Sequence, residues 1–167
     1  MELRTPTPAD LDQLARWLGR PEVSRWLDFG QGHQSLDAKT LKIMALREVH
    51  ELRIYAEDPG AEPVGLVALS DLDRSFGTAR LWYVLGQQRF SGRGLMTGAV
   101  SCFLDLAFSE LKLSAVNAWV VDENYQSIRI LEKNQFRPIG RQRRCHVIDG
   151  VSHDRLLYDR LPEDGRT

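Results

Sequence analysis

Cysteine is scarce in this sequence: Cys102 and Cys145 are the only two in 167 residues. They share no metal-ligand spacing, so neither a disulfide framework nor a metal centre is expected, and a reducing, cytoplasmic setting is. Net charge is almost absent, at −1. No field of one sign recruits nucleic acid or a membrane, and neither is expected as a partner. No apolar run is long enough for a bilayer span, and Met1-Glu2-Leu3-Arg4 lacks the apolar core of a secretion signal. Repeats, low-complexity segments and linkers are also missing. What is present is a 43% hydrophobic chain of a length that suits one sizeable core. A single domain over residues 1–161 is expected, with a polar tail, 162–167, that frays.

Apolar periodicity predicts strands at 2–4, 52–56, 64–69, 79–85, 115–121, 136–147 and 151–161. A first helix opens at Pro6-Thr7-Pro8-Ala9-Asp10 and stops at Gly19. Further helices are predicted at 21–27, 35–50, 95–111 and 126–133, the last with Asn134 at a left-handed end. Residues 29–34, with two glycines, read as a mobile loop. Asp149-Gly150 is a strong hairpin dipeptide between the last two strands. This order describes a mixed α/β or α+β arrangement around one sheet.

The chemistry concentrates where a strand runs through Tyr83-Val84-Leu85 into Gly86-Gln87-Gln88-Arg89-Phe90-Ser91-Gly92-Arg93-Gly94-Leu95-Met96-Thr97 and a helix. A helix start leaves backbone N–H groups unpaired, and its dipole favours an anion. Gly92 and Gly94 let the main chain approach a phosphate, and Arg89 and Arg93 can add charge. The plainer reading is a loop whose glycines only turn the chain. The pattern is not a Walker A loop, since no Gly-Lys-Ser/Thr follows, and Thr97 stands where the dinucleotide fingerprint needs its third glycine.

Two separated segments carry a resemblance: Ser91-Gly92-Arg93-Gly94-Leu95-Met96-Thr97, and Asn124-Tyr125-Gln126-Ser127 with Leu131-Glu132-Lys133-Asn134-Gln135-Phe136. Together they resemble the GNAT superfamily of N-acyltransferases, and most the branch that acetylates N-terminal alanines of ribosomal proteins. The element order agrees over nearly the whole chain. The resemblance implies one mixed, largely antiparallel sheet of about seven strands with a central splayed parallel pair, flanked by about four helices. Three departures stand out. Ser91 replaces the usual Gln or Arg, Met96 the usual small residue, and Asn134 the usual glycine before phenylalanine. The loop is also about one residue longer than usual, which would let Arg89 fold in.

The resemblance further implies acetyl-CoA as cosubstrate. Tyr83, Val84 and Leu85 would bond its pantetheine arm through the backbone, residues 89–97 (Arg89 to Thr97) its pyrophosphate, and Asn124 the region near the thiol. A neutral amine, on a small molecule or a protein N-terminus, would attack the thioester directly. The Leu85 N–H would stabilise the oxyanion. Leu131 occupies the place of the tyrosine that often protonates the thiolate, so Ser127 becomes the candidate acid and Tyr125 the runner-up. Candidate bases are Asp71 and Asp73, which leave a strand, and His146 and His153 in the final hairpin; deprotonation through water needs none of them. Trp26 is the foremost pocket aromatic, and Arg141-Gln142-Arg143-Arg144 reads as a solvated strand edge. A homodimer through that hairpin is an assembly the pattern allows. A non-catalytic acyl-CoA-binding module and a nucleotide-binding α/β protein are the competing readings.

Overall fold

The computed structural model describes residues 1–165. Chain order is β1 (Glu2–Arg4), α1 (Pro8–Leu18), α2 (Pro21–Ser24), α3 (Ala38–Ala45), β2 (Glu51–Ala56), β3 (Pro63–Asp73), β4 (Thr78–Leu85), α4 (Leu95–Ser109), β5 (Ala115–Val121), α5 (Tyr125–Lys133), β6 (Arg137–Ile148) and β7 (Val151–Arg160). One seven-stranded sheet has the order β1-β2-β3-β4-β5-β7-β6. Every neighbouring pair is antiparallel except β4 and β5, which are parallel. That pair is joined only from Thr78↔Ala115 to Arg80↔Asn117, after which the strands part. Among the described residues the expected seven strands and the splayed pair are therefore present, with five α-helices flanking them.

Each face of the sheet buries its own core. On one, Phe103, Leu104 and Leu131 of α4 and α5 pack over Val67, Leu69, Leu81 and Val116. On the other, Leu14, Leu18 and Leu41 of α1 and α3 cover Ile54, Leu66 and Val84. Burying each such side chain contributes roughly 1.5–3 kcal/mol, enough for short helices to hold against the sheet. Helix α1 also carries a reciprocal cap. Thr7 accepts from the Asp10 N–H at 3.3 Å, and the Asp10 carboxylate accepts from the Thr7 N–H at 2.7 Å. The same carboxylate grips Arg4 at 2.6 and 2.9 Å, tying β1 to α1.

Several boundaries differ from the periodicity. The helix expected over 35–50 is confined to Ala38–Ala45. Asp37 caps it by accepting from the Thr40 N–H at 2.7 Å. Beyond Ala45 there is no apolar face left to bury: Leu46 is 86% exposed, and the Val49 carbonyl is drawn to the Leu72 N–H at 3.0 Å. Helix α2 is a single turn ending at Ser24 rather than reaching 27. The left-handed residue after α5 is Gln135 (φ 62), not Asn134 (φ −93). Asn134 is buried and its side-chain amide donates to the Ile130 and Thr97 carbonyls at 2.9 and 3.2 Å, so it seals the helix end and ties α5 to α4. The part of the tail expected to fray that lies within the described residues instead forms a 3-10 turn, Pro162–Gly165. There Asp164 accepts from the Leu161 N–H at 2.9 Å and pairs with Arg137. The rest of that tail, 166–167, lies outside the described residues. The β6–β7 turn has Asp149 and Gly150 at φ 50 and 78, as the dipeptide predicted.

Candidate active site

Where β4 and β5 part, the sheet opens into a cleft of about 440 Å³ that passes from one face to the other. Residues on β4 alternate between its two mouths. Tyr83 and Leu85 pack with the α4/α5 side, Trp82 and Val84 with the α1/α3 side. Backbone directions alternate too. The Gly86 N–H donates to the Val64 carbonyl at 2.8 Å, so in an antiparallel ladder Val84 also turns its polar groups toward β3. Tyr83 and Leu85 consequently aim their N–H and C=O into the gap, where no strand meets them. Gly86 itself is required by packing: a Cβ there would overlap the Trp17 indole.

At the α4 mouth lies the glycine loop. It makes a 3-10 turn, Gln88–Phe90, and then reaches α4 through Gly94, the N-cap, at φ 76 and ψ 2. No side chain caps the helix. Among the described residues the N–H groups of 92–97 have no hydrogen-bond partner. Gly92 is also left-handed, at φ 76. The result is a concentration of free donors on the positive end of a 15-residue helix, which suits a phosphate. Phe90, Ser91, Gly92, Gly94, Leu95, Met96 and Thr97 line the cleft. Arg89 and Arg93 do not. Their guanidiniums lie 4.8 and 5.5 Å from the Phe90 ring centre and pair with Glu62 and Glu57, so Arg89 is turned outward rather than folded into the loop.

The opposite wall is the start of α5. Asn124 is its N-cap, accepting from the Ser127 N–H at 3.3 Å. Asn124 and Ser127 both line the cleft, whereas Tyr125 lies outside it and is 66% exposed. Ser127 has a partner that sequence reasoning missed: its hydroxyl donates to the Tyr83 phenol oxygen at 3.0 Å, across the gap. The Tyr83 phenol donates in turn to the Ser127 carbonyl at 3.4 Å. Burial pushes the Tyr83 hydroxyl above its ordinary range, so it stays protonated. Strand alternation alone could have placed Tyr83 on the α5 side; its meeting with Ser127 is a tertiary contact.

The other mouth is aromatic. Trp26, Phe29, Trp82 and Trp119 line it, with Phe29 edge-on to Trp82 at 5.1 Å. Residues 29–34 form a loop whose start is fastened at Asp28. Asp28 accepts from the Gly30 and Gly32 N–H groups at 2.8 and 3.2 Å and from Arg155 at 2.7 Å. Burial pushes the Asp28 carboxyl up, but Arg155 and those N–H groups outweigh it and hold it below the usual range. The Arg155 guanidinium lies 3.9 Å from the Trp119 ring centre.

The candidate bases are scattered. A bulge puts Asp71 at φ 52, on the surface, paired with Arg80 at 2.8 Å and outside the cleft. Asp73 instead accepts from the Ser75 and Phe76 N–H groups. His146 is 3% exposed; it donates from Nε2 to the Arg25 carbonyl at 2.7 Å and accepts from Arg155 at 3.1 Å on Nδ1. Burial lowers its pKa and both nitrogens are occupied, so it braces the hairpin against α2. His153 lies beside Asp122 and Glu123, at 3.7 and 3.8 Å. The arginine run sits on β6, the outer strand of the sheet, as expected for a solvated edge.

The family described as "Acetyltransferase (GNAT) domain" matches residues 1–137. The probable N-acetyltransferase YjcK of Bacillus subtilis is 39% identical over 102 residues, 60% of this chain and 56% of its own length. The chain thus spans little more than half of that relative. The putative ribosomal N-acetyltransferase YdaF, also of Bacillus subtilis, is 26% identical over 97% of this chain and 91% of its own. Spermidine N-acetyltransferase from Vibrio cholerae, solved in complex with CoA and spermine, shares the fold. It has a TM-score of 0.85 at 16% identity and covers 98% of this chain and 96% of that one.

Proposed function

Since the chain belongs to the acetyltransferase (GNAT) domain family, we propose that its split sheet holds acetyl-CoA and presents the thioester to a primary amine, which attacks it directly in a ternary complex. The observation that carries this is the set of free N–H groups over 92–97, placed where β4 leaves the sheet and opening into the same cleft as Tyr83 and Leu85.

In this reading the loop from Phe90 to Thr97 receives the pyrophosphate through its backbone, with Arg89 and Arg93 at the rim. The gap-facing groups of Tyr83 and Leu85 receive the pantetheine amides, Val84 closes the wall, and Asn124 and Ser127 flank the thiol end. The Leu85 N–H receives the developing oxyanion. The leaving thiolate takes its proton from the Ser127–Tyr83 pair, in place of the tyrosine whose position Leu131 occupies. The acceptor enters by the aromatic mouth, which fits an amine on an apolar stem; a small molecule or a protein N-terminus meets that description. Residues 1–161 act as one catalytic domain in the cytoplasm, without nucleic acid or membrane. Among the described residues no helix is long and apolar enough to cross a membrane. A homodimer would form along β6, which carries exposed Ile139 and Val147.

Two measurements test the proposal. Calorimetric titration should show coenzyme A binding and ATP failing to compete at equal concentration. Thiol release from acetyl-CoA should then require an amine, supplied as a panel of spermidine, glucosamine and a peptide with N-terminal alanine. Binding of ATP alone would overturn the cofactor assignment, and binding of coenzyme A with no turnover on any amine would leave a binding module.

A further inference from the structure

Two cations in the cleft are unused by this scheme. Helix α5 turns one stripe toward the cleft, made of Gln126, Arg129, Ile130 and Lys133, which share a face by helical spacing. Its polar members are exposed. Arg80, Arg129 and Lys133 all line the cleft with a positive charge. Arg80 is paired with Asp71, whereas Arg129 and Lys133 have no carboxylate in ion-pair reach among the described residues. The helix dipole accounts for a lysine in the last turn, as Lys133 is, but not for an unpaired arginine in mid-helix.

The stripe ends beside the glycine loop. Asn134, which follows Lys133, donates to the Thr97 carbonyl at 3.2 Å and so holds the end of α5 against the first turn of α4. The loop's own arginines are already neutralised, Arg89 by Glu62 and Arg93 by Glu57. Unpaired positive charge at this mouth therefore stands on α5, facing the free N–H groups of 92–97.

We propose that Arg129 and Lys133 receive the 3′-phosphate of coenzyme A and make the protein prefer coenzyme A to its 3′-dephospho form. The inference rests on the acetyl-CoA reading above, with the pyrophosphate on the loop. Coenzyme A carries two anionic groups on one ribose, the pyrophosphate on its 5′ oxygen and a phosphate on its 3′ oxygen. With the first on the N–H groups of 92–97, the second lies one sugar ring away. Packed helices stand about 8–10 Å apart, so long side chains on α5 reach a group held that close to the end of α4. Arg129 offers a planar fork to two phosphate oxygens, and Lys133 adds a point charge. Both side chains are exposed, so water screens each contact, and the two act together on one dianion.

The test is calorimetric titration with coenzyme A and with dephospho-coenzyme A, which lacks that phosphate alone. Wild type should bind coenzyme A about tenfold more tightly at low salt. Arg129→Gln and Lys133→Gln should each lose part of that preference. The double variant should lose nearly all of it, with its affinity for dephospho-coenzyme A within about twofold of wild type. Raising the salt toward about 1 M should shrink the wild-type preference. Glutamine is a good helix former, so α5 should persist in every variant, and melting temperatures check this. Arg143→Gln, on β6 and outside the cleft, removes the same charge and should change neither affinity. A wild type that binds both ligands equally would overturn the assignment while leaving the acetyl-CoA reading intact. A double variant weakened equally toward both would also overturn it, giving these cations to the pyrophosphate instead. Failure of both ligands to bind wild type would overturn the reading beneath.

Discussion

Replacing Gly94 separates backbone strain from charge at the loop. Gly94 is the N-cap of α4 at φ 76, and nothing lies within 4 Å of the position a Cβ would take. Asparagine and aspartate have the same shape there, and both tolerate left-handed backbone better than other side chains. Each costs the free protein about 1 kcal/mol of strain, and aspartate recovers a few tenths from the helix dipole. Their difference appears only on binding. A carboxylate roughly 5 Å from a doubly charged pyrophosphate, at an effective dielectric between about 80 and 20, is repelled by roughly 2–7 kcal/mol. Even the lower figure is more than tenfold in Kd. Calorimetric titration with coenzyme A should therefore show Gly94→Asn close to wild type and Gly94→Asp weaker by tenfold or more. Raising the salt toward about 1 M should narrow the gap, as charge screening requires. Equal affinities for the two variants would refute the placement of the pyrophosphate.

Three further outcomes follow from the same geometry. Ser127→Ala and Tyr83→Phe should each lower turnover more than acetyl-CoA affinity, by about tenfold or more, and the double variant should lose less than the product of the two; steady-state kinetics with direct Kd measurement checks this. Asp10 is held at about 2 by its hydrogen bond to Arg4, against the burial that raises it, and its side chain is only 8% exposed. A folded pKa below the unfolded value of about 3.9 contributes about 2 kcal/mol that is present above pH 4 and lost as pH falls toward 2. Urea unfolding of wild type against Asp10→Asn should show a difference that shrinks over that window. Gly86→Ala, which forces a methyl into the Trp17 indole, should destabilise by about 1–3 kcal/mol in the same assay.

Features set by local chemistry were legible before the fold was known. The β4–loop–α4 unit and the α5 cap announce themselves through glycines, a short polar N-cap and apolar spacing over few residues. The hairpin turn did so through Asp149-Gly150. Errors arose where a tertiary contact outweighed local preference. Leu41, Ala45 and Val49 keep helical spacing, yet the sheet takes the Val49 carbonyl. Asn134 is the better left-handed residue on its own, yet its amide is worth more bonded to Thr97 and Ile130, so Gln135 takes the positive φ. Asp71 leaves a strand as expected, but the bulge turns it away from the cleft. Tyr83 with Ser127 joins positions 44 residues apart. No spacing rule links Tyr83 to Ser127; the parting of β4 from β5 brings them together across one gap.

That parting divides labour between main chain and side chains. On the α4 side the free donors of the cleft's loop and strand are backbone N–H groups of 92–97 and of Tyr83 and Leu85, which every amino acid except proline supplies. Side-chain identity there is lightly constrained so long as the φ angles at Gly92 and Gly94 are kept, and this explains how Ser91 and Met96 can occupy positions where other residues are usual. On the aromatic side the surfaces are side chains, so each substitution changes what can enter. In the proposed reading, one half of the cleft can drift in sequence without losing its partner, while the other half can be redirected to a new acceptor without disturbing the first.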